Sequence, residues 1–147
     1  MGGRGASSGI SVSGKVYGSE YHSILKDGNI KFVVANEGSV TAPMETMIKR
    51  RVYVTVDEKK NKIKHITYYD NENKRVKQID LYPTHNGMDP HTHHGYWHNE
   101  NDSKKGAGNP TRDEKRMIER IKSIWYNYIN NGACLKANCS IDIRFAD

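Results

Sequence analysis

The stretch PHTHHGYWHNEND, residues 90–102, holds His91, His93, His94 and His98, four of the chain's seven histidines. If residues 90–96 are extended, His91 and His93 project to one face with Cα atoms about 6.5–7 Å apart. A His-x-His pair suits two chemistries, metal ligation and proton transfer. For zinc, a third ligand is the difficulty. His98 has the opposite parity, and His94 and His98 share a face only on a helix, which Gly95 and Pro90 disfavour. His85, Asp89 and Glu100 are further donors, but none completes a recognised zinc spacing. The expectation is therefore no metal and no other cofactor; a metal, if held, would fall to His91, His93 and His98.

Proton transfer asks for less. Cleaving RNA through its own 2′-hydroxyl needs a base for that proton, an acid for the leaving 5′-oxygen, and cations on the phosphate. Imidazole serves both proton roles because its ordinary pKa lies near neutrality. His91 and His93 fit as base and acid, with His85 as a third candidate. Lys49, Arg50 and Arg51 precede one expected strand, and Lys74, Arg75 and Lys77 lie on or before another. From these, Arg51 and Arg75 are the expected phosphate clamps, with Lys77 beside them. Tyr96 and Trp97 offer rings on which an unpaired base would stack. A plainer reading stands beside this one: a solvated, exposed loop, lysines that protect strand ends, and two aromatics packed beneath the loop.

The elements that would position these residues are legible to different degrees. Residues 21–25 (YHSIL) read as a short helix or turn, stopped at DGN. IKFVVA (30–35), VYVTV (52–56), IKHITYY (63–69) and VKQIDL (76–81) read as strands, although the last has no clean polar and apolar face. Together they suggest an antiparallel meander of about four strands. Thr111 and Glu114 form a capping box. Behind it Met117, Ile118, Ile121, Ile124, Trp125, Tyr128 and Ile129 make one apolar stripe on a helix of about five turns, ended by Asn131 and Gly132. The predicted fold class is α+β, with the sheet packed against this long C-terminal amphipathic helix.

Composition bounds the rest. The 147 residues fit one domain, with residues 1–16 a Gly/Ser-rich flexible arm and 17–147 the folded unit. Gly9, Gly14 and Lys15 approach a phosphate-binding loop, but Val16 replaces the Ser or Thr that would hold magnesium. A net charge of +6 favours anionic partners. No apolar run approaches the roughly 18 residues that span a bilayer, and the N-terminus lacks a secretory h-region. A cytoplasmic location without membrane association is expected. Cys134 and Cys139 read as free thiols. A possible extra strand at 140–145 would extend the sheet edge. Nothing in the sequence sets an oligomeric state.

The strings MGGRGASSG, YGSEYHSIL, GNIKFV and METM resemble small phage- or prophage-encoded proteins of Firmicutes. The segment ITYYDNENKRVKQIDL, followed by HNGMDPHTHHGYWHNEND, is similar to C-terminal modules of polymorphic toxins. In those modules a YD hairpin leads into an ID strand and a Pro-His-x-His motif. The resemblance implies a metal-independent ribonuclease of the barnase/EndoU/colicin/RelE-like class, acting on RNA in a bacterial host, with association with the virion as the alternative location. It points to His91 and His93, with His85 at the preceding HNG. Two other readings stay open: a phage protein that binds a host or virion protein, including an inhibitor of host defence, and a metal-dependent nuclease.

Overall fold

The computed structural model describes residues 20–36, 41–46, 48–81, 90–95 and 108–131. In chain order these form β1 (Tyr21–Asp27), β2 (Ile30–Ala35), β3 (Val52–Asp57), β4 (Lys62–Tyr69), β5 (Arg75–Asp80), β6 (His91–His94) and α1 (Arg112–Asn130). The strands build one six-stranded sheet in the order β1-β2-β3-β4-β5-β6. The α+β class is as expected, but the sheet has six strands where about four were expected, and it is mixed. β2 and β3 run parallel; every other neighbouring pair is antiparallel.

Both differences have local causes. Residues 21–25 are strand, not helix or turn, because Gly28, at φ 61°, closes a tight turn that folds β1 back on β2. Parallel neighbours cannot be joined by a hairpin, so the chain between β2 and β3 must cross over. Its described part, residues 41–46, crosses the sheet face away from the helix. Arg75 N donates to Met44 O at 2.8 Å, Thr46 N donates to Asn73 O at 3.0 Å, and the Tyr69 hydroxyl donates to the Pro43 carbonyl. The rings of Tyr53 and Tyr69 meet edge to face there, 5.5 Å apart.

The other face carries the core. Ile30, Phe32, Val34, Val52, Val54, Val56, Ile66 and Ile79 pack against Ile118, Ile121 and Trp125 of α1. Phe32 and Trp125 stack with centroids 5.9 Å apart. The helix starts as its sequence predicts: Glu114 N donates to Thr111 Oγ1, and Thr111 N donates to Glu114 Oε1. Glu114 then ties helix to sheet. Its Oε1 accepts from Thr92 Oγ1 at 3.1 Å, and its Oε2 lies 2.9 Å from Lys77 Nζ. Among the described residues no helix is long and apolar enough to cross a membrane.

Candidate functional site

Side chains alternate along a strand, so residues between the core positions must point to the face away from α1. Strand register aligns them in two rows. One runs Thr55, His65, Asp80, His91; the other runs Tyr53, Thr67, Gln78, His93. Directly opposed Cβ atoms in such a sheet lie about 4.5–5.5 Å apart, close enough for side chains to touch. The result is a polar patch that no solvent reaches freely: His65, Gln78, Asp80, His91 and His93 are all buried. Mixed sequence alternation in β5 now has its reason. Both faces of that strand are covered, Ile79 by the helix and Gln78 and Asp80 by the polar side.

Asp80 is the hub. Its Oδ1 accepts from His65 Nδ1 at 2.7 Å and from Gln78 Nε2 at 2.8 Å. Its Oδ2 lies 3.3 Å from His91 Nε2 and 3.4 Å from His93 Nε2. The two histidine rings meet edge to face, with centroids 4.9 Å apart. Burial alone would push the Asp80 carboxyl up, but the hydrogen bond and charge of His65, the Gln78 amide and the charge of His93 outweigh it and hold it at about 2. Asp80 is therefore a fixed anion beside three imidazoles, and such an anion stabilises an imidazolium when one forms.

One arginine adjoins this patch, and another is buried ahead of β3. Arg75 Nη1 donates to Gln78 Oε1 at 3.1 Å, which links the guanidinium to the hub through one amide. Arg51, just ahead of β3, is 6% exposed, and its Nε and Nη1 find no hydrogen-bond acceptor among the described residues. Arginine carries five N–H donors and cannot shed its charge, so a buried guanidinium with open donors calls for an anion.

The sequence-derived candidates divide clearly. The structure brings His91 and His93 together on one face, as their spacing predicts, and sets Arg75 at the start of β5, with Arg51 just ahead of β3. Lys77 is on the opposite face, paired with Glu114 and lying 4.3 Å over the Tyr68 ring, so it does not join the group. Lys49 donates to Asn71 O at 2.7 Å, and Lys49, Arg50 and Lys74 are exposed. His94 is exposed too. His85, Tyr96, Trp97, His98, the 1–16 arm and the expected strand at 140–145 lie outside the described residues. One expectation is corrected: His91 and His93 do not sit in an exposed loop or strand end. They are 2% and 4% exposed on β6, because β6 is paired along β5 and both of its faces are covered.

Sequence reasoning missed His65, Gln78 and Asp80. The signal was present in the IKHITYY and VKQIDL pair, since hairpin register decides what faces what. A bulge between Tyr68 and Tyr69 shifts that register and hid it. Asp80 also changes the metal question. Asp80, His91 and His93 each offer a ligand atom, all within 4.8 Å of one another. The third donor comes from the neighbouring strand, where spacing along residues 90–102 does not reveal it. Comparison with known proteins finds no matching family model, no matching curated protein and no matching solved structure.

Proposed function

We propose that this chain is a phage- or prophage-type ribonuclease that cleaves RNA without a metal, using His91 and His93 as the proton-transfer pair. The observation that carries the reading is the convergence of three imidazoles on one buried carboxylate, with Arg75 tied to the same cluster through Gln78. In the proposed step the neutral imidazole of the pair takes the proton of the RNA 2′-hydroxyl. The 2′-oxygen forms a bond to phosphorus and the bond to the 5′-oxygen breaks. The protonated partner gives its proton to that leaving oxygen, leaving a 2′,3′-cyclic phosphate. Asp80 offsets the charge of whichever imidazole is protonated, and His65 with Gln78 holds Asp80 in position. Arg51 and Arg75 are the groups suited to the phosphate charge, and the open donors of Arg51 favour an anionic substrate.

A substrate with one ribonucleotide in an otherwise deoxyribonucleotide strand tests this. Cleavage is expected only 3′ to the ribonucleotide. Cutting elsewhere, or equal cutting of an all-DNA strand, contradicts use of the 2′-hydroxyl.

A further inference from the structure

We propose that Asp80, His91 and His93 form a site for a zinc-like divalent transition ion, and that the bound ion stops RNA cleavage by taking the imidazole nitrogens that would move protons. The site itself stands on geometry alone; the inhibition rests on the ribonuclease reading above.

Three features point to such an ion. The first is distance. Zinc holds its nitrogen and oxygen ligands at about 2.0–2.2 Å, so neighbouring ligands of a tetrahedral site are roughly 3.3–3.6 Å apart. Asp80 Oδ2 lies 3.3 Å from His91 Nε2 and 3.4 Å from His93 Nε2. Two edges of the coordination figure are thus already set, and all three donor atoms lie within 4.8 Å of one another.

The second is donor chemistry. Two imidazoles and one carboxylate suit zinc and its neighbours among transition metals. Calcium and magnesium prefer sites built from oxygen. The third is the support behind the ligands. Asp80 Oδ1 accepts from both His65 Nδ1 and Gln78 Nε2, which leaves Oδ2 directed at the histidine pair. Outer hydrogen bonds of this kind orient metal-ligating carboxylates and are worth about 10–100-fold in affinity. The donors also stand on paired strands, so little reorganisation is needed to close around an ion.

Inhibition follows from the overlap. An imidazole whose lone pair is shared with a metal ion cannot accept a proton, and binding displaces any proton already on that nitrogen. His91 and His93 cannot be ligands and proton carriers at once.

The full chain, purified without a histidine tag, stripped with EDTA and dialysed, is titrated with Zn²⁺ by calorimetry and with Co²⁺ by visible absorption. Saturation at one ion per chain is expected, with Co²⁺ bands of low coordination number and a Zn²⁺-dependent rise in melting temperature. Asp80→Asn and His93→Gln, both close in shape to the parent, should weaken binding by more than about 100-fold while circular dichroism shows them folded; Gln78→Ala should weaken it by about 10-fold. RNA cleavage should fall in step with occupancy and return with EDTA. Absence of saturable binding, or variants that bind like the parent, overturns the site and leaves metal-free cleavage standing. Saturation with undiminished cleavage overturns the inhibition. Cleavage that requires Zn²⁺, or DNA cutting by the loaded protein, overturns both the inhibition and the ribonuclease reading. Zinc binding by a protein that never cleaves RNA upholds the site and removes the ribonuclease.

Discussion

His91 and His93 are asked to do two things: move protons and fill space in a buried patch. If they carry the chemistry, replacing either with Ala should lower RNA cleavage by about 10²–10⁴-fold, the range for a lost general acid or base. Their burial adds a second effect. Each variant removes a partner from the Asp80 carboxylate, and a buried polar group left short of partners costs about 1–3 kcal/mol. Melting curves on the Ala and Gln variants separate the two effects. Folded Gln variants that keep parental activity would remove both histidines from the mechanism. The pair itself was legible, because parity along residues 90–94 puts both on one face whenever the segment is extended. Asp80 and His65 were not, because their approach depends on pairing across strands and on two bulges, one in β3–β4 and one in β4–β5.

The helix is the element that its sequence specifies most completely. Its capping box, its length and its buried stripe all follow from local spacing, and Ile121 and Trp125 are 0% and 8% exposed at the centre of that stripe. Truncation to Ala should cost about 3–5 kcal/mol for Trp125 and about 2–5 kcal/mol for Ile121, read by chemical denaturation. Variants that unfold with the parent would separate helix from sheet. Glu114 adds a pH dependence. Burial pushes its carboxyl up, but Lys77, Thr111 and Thr92 outweigh burial and hold it below the ordinary value. A carboxyl lowered by folding stabilises the native state above its unfolded pKa, near 4, and that stabilisation is lost as pH falls through the lower folded value. Denaturation at pH 7 and pH 3 should therefore show a steeper acid loss for the parent than for Glu114→Gln. Equal slopes would mean that the ties to Lys77 and Thr92 contribute nothing. The sheet was less legible. β1 is half-exposed and has no buried residue to mark it as a strand, and nothing within VYVTV distinguishes a parallel partner from an antiparallel one. The long connection before β3 was the only indication of a crossover.

At the scale of the whole molecule, a net charge of +6 would attract the RNA backbone of the proposed substrate before any particular contact forms. Cleavage at low substrate should weaken as salt rises. Arg75→Ala should reduce the salt slope of RNA binding by about one unit while leaving sequence preference unchanged, since a phosphate contact carries no base information. An unchanged slope would take Arg75 off the substrate. The proposed activity is metal-free cleavage of RNA by the cluster around Asp80. Its most direct test is the full chain, free of any inhibitor protein, incubated with total RNA in EDTA and the new ends analysed. Fragments ending in 2′,3′-cyclic phosphate, absent with His91→Gln and His93→Gln, are the predicted result. Intact RNA in EDTA, or cleavage that the two variants retain, would contradict it.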